Sequence, residues 1–229
     1  MTDLTVVIPA YKEDPKLLYK IYQQLIFLGA EVIIVDDGST MNLECPNLSY
    51  YPNMGYGYAI KYGIRHATRP IILTMDSDGQ HLVQDAEKLY QVYKLIDDCA
   101  MVIGTRWNLK ETSLRWYGRK ALNFLASCLA LHYMQDLNSG MRIFRKDLAL
   151  GYEKILCDTF SFTTSLAMTI VGDGYKVAWF PIDVQPRAYG KSRVRVVKHG
   201  LVTLWFILWI GFAIRTRGIR AWIRNLLGR

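Results

Sequence analysis

The sequence is poor in cysteine, and its cysteines do not have the spacing of metal ligands. Cys45, Cys99, Cys128 and Cys157 stand far apart, with no CxxC pair and no histidine at ligand distance in the sequence. This pattern excludes a zinc ribbon and a dense disulfide framework. We expect reduced thiols that serve mainly in packing, as is usual in a cytosolic compartment.

The common nucleotide-binding loops and an export signal are also missing. Neither GxGxxG nor GxxxxGK[ST] occurs, which argues against a dinucleotide site and a P-loop. Residues 1–4 lead directly into an apolar run, without a basic region and a long apolar segment. We therefore expect no signal peptide and a catalytic domain on the cytoplasmic side.

Acidic residues are absent from the last part of the chain. Residues 187–229 contain ten Lys and Arg and no Asp or Glu, although the whole chain has 28 basic and 20 acidic residues. The preceding residues are slightly acidic as a consequence. Positive charge around an apolar segment indicates an anionic membrane surface rather than a nucleic-acid groove. We predict a membrane partner and no nucleic acid.

That basic tail contains an uncharged apolar stretch at residues 200–214, which is shorter than the about 20 residues of a spanning helix. An apolar stripe with arginines on another face follows it, as in an interfacial helix. We predict a membrane-associated helical tail over residues 194–229, and favour two helices on the surface over a span. A homo-oligomer that covers part of this surface is equally compatible.

Apolar strands alternate with helices through the first half of the chain. Strands are predicted at residues 4–9, 31–35, 48–51, 70–75 and 100–104, and helices at 15–28, 56–67 and 83–95. This alternation predicts an α/β domain with a mostly parallel central sheet flanked by helices. Beyond residue 104 we expect a helix at 114–133, a strand at 139–145, a helix at 161–171 and a strand at 175–184. The catalytic domain is taken as residues 1–193.

Acidic residues follow three of these strands. Glu13 comes after the first, Asp36 and Asp37 after the second, and Asp76 and Asp78 after the fourth. Ligands of parallel α/β sheets bind beyond the carboxyl ends of the strands, so we expect these side chains to meet at one edge. The second cluster is either a simple turn or a site for the ribose or base of a nucleotide.

The third cluster, together with Gln80, predicts a cation site. Alternate residues 76, 78 and 80 can point the same way, and Mg²⁺ is typically held by one or two carboxylates plus substrate phosphates. The alternative is a solvated turn after a strand. We favour Mg²⁺ or Mn²⁺ bound by Asp76, Asp78 and Gln80 on a phosphate-containing donor.

Glycines and arginines mark two further features. Gly55 and Gly57 indicate either close helix packing or room for a ligand, with equal weight. A set of arginines lies where the strand–helix pattern breaks and suits a second, anionic substrate, unless each is a plain surface residue. The set consists of Arg106, Arg115, Arg119, Arg142 and Arg145. The basic segment 187–192 is suited to closing over a diphosphate.

Taken together, the motifs at residues 7–13, 35–39, 75–81, 104–106, 136–142 and 189–192 carry a specific resemblance. The sequence resembles family-two inverting glycosyltransferases of the GT-A fold, among them dolichyl-phosphate mannose synthase and bacterial polyprenyl-phosphate glycosyltransferases. The family often has Asp-Ala-Asp where this chain has Asp76-Ser77-Asp78. It often has Asp-Pro-Thr-Ser-Gly at residues 136–140, and that departure weakens any inference about the donor sugar.

The resemblance implies a role for each matching residue. The nucleotide sugar would contact Pro9, Tyr11, Glu13, Asp37, Asp76, Arg187 and Lys191; the metal ligands would be Asp76, Asp78 and Gln80; the acceptor phosphate would meet Arg106, Arg119, Ser139 and Arg142; and the catalytic set would be Asp78, Asp136, Arg106 and Arg119. Asp136 would lie near the reacting centre.

The implied reaction moves a sugar from a GDP-mannose or UDP-glucose type donor to dolichyl or undecaprenyl phosphate with inversion. A phosphate monoester has a second pKa of about 6 and needs orientation more than deprotonation. One alternative keeps the fold but uses a saccharide hydroxyl in cell-surface polysaccharide synthesis, which requires a general base. A second alternative is a non-catalytic membrane-binding protein.

Overall fold

A computed structural model describes residues 1–39, 42–108, 112–186 and 196–226. The strands are β1 Leu4–Ala10, β2 Glu31–Asp37, β3 Asn47–Tyr50, β4 Ile71–Thr74, β5 Cys99–Arg106, β6 Arg142–Arg145 and β7 Lys176–Ile182. The helices are α1 Pro15–Phe27, α2 Tyr56–His66, α3 Val83–Leu95, α4 Ser113–Ala130, α5 Lys146–Gly151, α6 Phe162–Gly172 and α7 Val196–Leu226.

The strands form one seven-stranded sheet in the order β3-β2-β1-β4-β6-β5-β7. All neighbours are parallel except β6, which lies antiparallel between β4 and β5. The predicted α/β fold with a mostly parallel sheet is confirmed. Because β1, β2 and β4 are parallel neighbours, their carboxyl ends lie at one edge, as the acidic strand ends required.

The core has one layer on each face of the sheet. Along β1, Val6 and Ile8 pack in the layer that includes α1 and α3, whereas Val7 packs in the layer with α2 and α6. Successive residues of a strand point to opposite faces, so a strand covered on both sides is apolar throughout. All seven residues of β1 are buried, which explains its continuous apolar sequence.

Local signals place α1 correctly. The Asp14 carboxylate accepts a hydrogen bond of 3.0 Å from the Lys16 amide, and Pro15 occupies the first turn, where its missing N–H costs nothing. The apolar positions Leu18, Ile21 and Leu25 then share the buried face. A side-chain cap and a helical apolar period are both readable from a short stretch of sequence.

The C-terminal tail differs from its prediction. Instead of two helices, α7 is one continuous helix of 31 residues, and no proline interrupts it. It packs against α4 and α6, and a side chain at Gly211 would lie 2.7 Å from Leu129 of α4. Residues 199–216 are long and apolar enough to cross a membrane, with 22% of that stretch buried in the molecule.

Candidate active site

A cavity of about 660 Å³ opens at the carboxyl edge of the sheet. The end of β1, the loops after β2 and β4, the end of β5, helix α4 and the first turns of α7 all contribute to its walls. Its lining includes most of the residues predicted for the site: Pro9, Tyr11, Glu13, Asp37, Asp76, Asp78, Gln80, Arg106 and Arg119. The three acidic strand ends therefore meet in one place. Arg187 and Lys191 fall outside the described residues.

Asp76 is held from several sides. The Tyr56 hydroxyl donates to its Oδ1 at 2.9 Å, and its own amide donates to Nδ1 of the buried His81 at 3.2 Å. Gly140 packs directly against the carboxylate, because a Cβ there would lie 2.3 Å from Oδ1. A carboxylate confined in this way keeps one orientation toward the cavity.

Asp78 and Gln80 complete this part of the wall. Asp78 is only 6% exposed, and its Oδ1 accepts from the Gln80 amide at 3.0 Å. The Gln80 side-chain nitrogen donates to the carbonyl oxygen of Gln185 at 3.3 Å. Among the described residues no three His, Cys, Asp or Glu side chains form a complete metal cage. The donor set fits a hard cation that takes its remaining ligands from substrate phosphates.

Asp37 lines the cavity but is heavily used by the protein itself. Its carboxylate accepts from the Tyr50 hydroxyl (2.9 Å), the Asn53 side-chain amide (2.8 Å) and the amides of Met54 (2.7 Å) and Gly55 (3.0 Å). A carboxylate has about four lone-pair sites, so these donors nearly fill it. Burial and then the hydrogen bond to Asp37 raise the pKa of Tyr50, which stays a donor. This geometry indicates that Asp37 holds the loop before α2 in shape.

The two glycines of that loop serve close packing. A Cβ at Gly57 would lie 2.2 Å from the carbonyl oxygen of Cys157, and one at Gly55 would lie 2.8 Å from that of Asp158. The Tyr58 amide also donates to the Asp158 carbonyl at 3.0 Å. The prediction left two alternatives for these glycines, close packing or room for a ligand. Close packing holds for Gly55 and Gly57 alike, and Gly55 also lines the cavity. The start of α2 is thus pressed against residues 157–159.

Asp136 lies behind the cavity wall as the partner of Arg106. The guanidinium Nε and Nη2 of Arg106 donate to the two carboxylate oxygens at 2.8 Å each, and Asp136 is 3% exposed. Burial alone would raise the pKa of Asp136, but the charge and hydrogen bonds of Arg106 outweigh it and lower that pKa. Arg106 lines the cavity and Asp136 does not. Asp136 thus orients Arg106 at the cavity wall without lining the cavity itself.

Two expected acceptor contacts are contradicted by burial. Arg142 has no exposed surface, and its guanidinium donates to the carbonyl oxygens of Leu137 (3.0 Å), Ser139 (3.2 Å) and Thr163. Burial lowers its pKa to about 10, so it stays charged at neutral pH. Ser139 is also fully buried, and its hydroxyl has no hydrogen-bond partner in the described part of the chain. Arg142 holds the loop before β6 to α6 and does not face the cavity.

Helices α4 and α7 form a further part of the cavity wall. Arg115 and Arg119, one helical turn apart, line it from α4, and His199 and Thr203 line it from α7. The predicted set of arginines is therefore divided, because Arg145 forms an exposed ion pair with Asp147 at the other end of its strand. Sequence reasoning missed Tyr56, Phe160, His199 and Thr203. Only the position of Tyr56 between the two glycines could have signalled one of them.

Comparison with known proteins agrees with this geometry. The family described as Glycosyl transferase family 2 matches residues 5–152. A dolichyl-phosphate beta-glucosyltransferase of Trichomonas vaginalis is 28% identical over 172 residues, which cover 63% of this chain and 53% of the relative. The chain therefore spans about half the length of that relative. An uncharacterized protein of Methanocaldococcus jannaschii is 28% identical and covers 90% of this chain and 91% of its own.

Solved structures show the same fold. Glucosyl-3-phosphoglycerate synthase of Mycobacterium tuberculosis in complex with UDP superposes with a TM-score of 0.74 at 14% identity, over 92% of this chain and 80% of that one. A complex of the same synthase with Mn²⁺, UDP-glucose and phosphoglyceric acid gives 0.72 at 15% identity, with the same coverage. At these identities the likeness establishes the GT-A architecture and no substrate.

Proposed function

Since the chain belongs to glycosyl transferase family 2, we propose that it transfers a sugar from a nucleoside-diphosphate sugar to a polyprenyl phosphate with inversion. One observation carries the proposal. A single cavity joins three acidic strand ends to the arginines of β5 and α4, and it is also lined by α7, a helix with exposed apolar side chains. The polyprenyl acceptor, the membrane location and the roles of single residues are the proposed part.

On the donor side, Asp76 and Asp78 with Gln80 beside them would hold Mg²⁺ or Mn²⁺. When bound, the ion neutralises the charge of the departing nucleoside diphosphate. The mycobacterial synthase of the same fold has been solved with Mn²⁺ or Mg²⁺ and UDP, which supports this assignment. Pro9, Tyr11 and Glu13 line the same side and would contact the nucleoside of a GDP-mannose or UDP-glucose type donor.

On the acceptor side, Arg106, Arg115 and Arg119 supply positive charge where a phosphate would enter. Guanidinium groups match the geometry of phosphate oxygens, and a phosphate monoester is largely dianionic at neutral pH. Such a nucleophile needs screening and orientation instead of a general base. Asp136 does not supply a base, because both of its oxygens accept from Arg106.

The membrane side of the proposal rests on α4 and α7 together. These helices pack against one another, both line the cavity, and each exposes large apolar residues. The exposed residues are Leu114, Trp116, Tyr117 and Phe124 on α4 and Leu201, Trp205, Leu208, Trp209 and Phe212 on α7. Tryptophan and tyrosine favour the membrane–water interface, and lysine and arginine beside them favour anionic lipid. A lipid phosphate could therefore reach the arginines from the membrane.

The test is transfer of labelled sugar into extractable lipid. Purified full chain is incubated with Mn²⁺, labelled UDP-glucose or GDP-mannose, and undecaprenyl or dolichyl phosphate in detergent. Parallel reactions contain 3-phosphoglycerate or a saccharide as acceptor, and EDTA serves as the metal control. We expect metal-dependent label in the lipid phase. Label in the phosphoglycerate or saccharide product, with none in lipid, would replace the proposed acceptor.

A further inference from the structure

Tyr56 reaches the carboxylate of Asp76 from a different part of the chain. It is the first residue of α2, and its hydroxyl lies 2.9 Å from Oδ1 of Asp76, which follows β4. Its side chain lines the same cavity. The hydroxyl donates to Oδ1 and so restricts rotation of the group proposed to bind the metal.

The ring of Tyr56 is itself held in place. It stacks on Phe160, with ring centroids 5.2 Å apart and planes 19° from parallel. The backbone on both sides of Tyr56 is pressed against residues 157–159 through Gly55 and Gly57. The position of the hydroxyl is therefore set by the segment 157–161 as much as by α2.

This segment also rests on α7. Phe160 meets His199 edge to face, with centroids 5.0 Å apart, and the hydroxyls of Ser161 and Thr203 lie 2.9 Å apart. One continuous set of contacts thus leads from the apolar helix through Phe160 and Tyr56 to Asp76. The acceptor side and the metal side of the cavity share this support.

We propose that Tyr56 is a positioning residue for the metal-bound donor, and that Phe160 holds it in that position. The inference rests on the proposed function, because it assumes that Asp76 binds a divalent cation. Outer partners that orient metal ligands typically change metal affinity by roughly 10–100-fold when they are removed. The Tyr56 hydroxyl is such a partner by its place in the structure.

The experiment measures Mn²⁺ affinity by electron paramagnetic resonance on the purified full chain, with UDP and with GDP. Tyr56→Phe keeps the stacked ring and removes only the hydroxyl. We expect it to weaken Mn²⁺ binding roughly 10–100-fold, while nucleotide affinity without metal stays within about twofold of the wild type. Tyr62→Phe is the matched control, since it also removes a tyrosine hydroxyl from α2. The ring of Tyr62 contacts Tyr50 and His66. It should bind Mn²⁺ like the wild type.

Phe160→Leu tests the second half of the inference. Phe160 is 37% exposed, so the smaller side chain should leave the fold intact, which the thermal unfolding midpoint checks. We expect Phe160→Leu to weaken Mn²⁺ binding, and the double variant with Tyr56→Phe to lose little more than Tyr56→Phe alone. Additive losses in the double variant would overturn the coupling through Phe160.

The outcomes separate this inference from the function on which it rests. Tyr56→Phe that binds Mn²⁺ as tightly as the wild type, with both nucleotides, overturns the positioning role and leaves the proposed function standing. Wild-type protein that binds no Mn²⁺ with either nucleotide overturns the metal assignment, and the inference fails with it. Loss of metal-free nucleotide binding in Tyr56→Phe to the same degree as loss of Mn²⁺ would mark a general structural defect and also overturn the role.

Discussion

The carboxylate side of the cavity and its arginine side are built differently. On the carboxylate side, Asp37 accepts hydrogen bonds from several groups, Asp76 accepts one from the Tyr56 hydroxyl, and Asp78 is buried. On the other side, Arg115 is exposed and Arg119 is half-buried, and both extend from one face of α4. Arg106 is the exception, because Asp136 holds its guanidinium at both oxygens.

This difference indicates how the two substrates would be recognised. Groups that are oriented before binding lose little freedom when charge develops on the leaving diphosphate, which favours catalysis. Long side chains on an exposed helix face can adapt to acceptors of different shape at a cost in entropy. We expect changes on the carboxylate side to affect metal and donor, and changes on the arginine side to affect the acceptor.

The largest expected effect is on stability, and it tests whether Arg106 is held in place before substrate binds, like the groups of the carboxylate side. Asp136→Asn removes the charge that compensates a largely buried guanidinium, and breaking a buried pair at one partner costs about 3 kcal/mol or more. We expect that loss in the free energy of unfolding, measured in denaturant. Asp147→Asn is the control, since its ion pair with Arg145 is exposed and should be worth less than about 1 kcal/mol. Equal losses in the two variants would place Arg106 with the adaptable arginines.

The pH dependence of that variant has a definite sign. The folded pKa of Asp136 is lowered from an ordinary aspartate value of about 3.9. The stabilisation by ionised Asp136 is therefore complete above the unfolded pKa and is lost as the pH falls through the folded pKa. The difference in unfolding free energy between wild type and Asp136→Asn should shrink below about pH 4. A difference that stays constant down to the acid limit of folding would contradict the ionised buried pair.

The next effect concerns the metal side. Asp78→Ala should lower kcat/KM by roughly 100-fold or more, about 2.7 kcal/mol, because a residue proposed to bind the metal directly should matter at least as much as the outer partners of a metal. Added Mn²⁺ should restore part of the activity only at high concentration. Asp97→Asn removes an exposed carboxylate far from the cavity and should match the wild type. Normal turnover by Asp78→Ala would remove it from the metal site.

The same small change can be made on both sides of the cavity. Gly140→Ala places a methyl group 2.3 Å from Asp76 Oδ1, so the carboxylate must move, and we expect Mn²⁺ affinity to fall roughly tenfold or more. Gly118→Ala on α4 meets no atom within 4 Å and should stabilise the helix by up to about 1 kcal/mol. Thermal unfolding and Mn²⁺ titration distinguish the two. Equal tolerance would show that the carboxylate side is less tightly built than its contacts indicate.

The smallest effect concerns the acceptor. Arg119→Gln should raise the KM for polyprenyl phosphate by roughly tenfold, as expected for one lost hydrogen bond to a charged group, and leave the KM for the nucleotide sugar unchanged. Lys120→Gln removes the same charge from the next position, where the ammonium lies over Trp116, 5.8 Å from the ring centre. A similar rise in this KM for both variants would mean that the positive charge acts by attraction to the membrane, and that Arg119 makes no specific contact with the acceptor phosphate.

Elements that depend on neighbouring residues could be predicted from the sequence. The apolar run of β1, the Asp14 cap of α1 and the acidic residues after β1, β2 and β4 are all short-range patterns. Once a mostly parallel sheet is inferred, the meeting of Glu13, Asp37 and Asp76 follows, since parallel neighbours share a carboxyl edge. The residues on the carboxylate side of the cavity were therefore largely predictable.

Other features depend on which distant segments meet. A sequence cannot show that β6 lies antiparallel between β4 and β5, and this placement buries Arg142 and leaves Arg106 at the cavity. Nor does it show that α7 continues as one helix against α4, where a glycine allows the close approach.

The amino-acid sequence by itself determined the fold class, the strand ends and the acidic side of the cavity, because hydrophobic period, caps and turn residues act over a few positions. Only the tertiary structure decided which polar side chains face the cavity and which are buried as supports. Tyr56, Phe160 and His199 stand far apart in the chain, and packing alone brings them into one line of contacts that ends at Asp76.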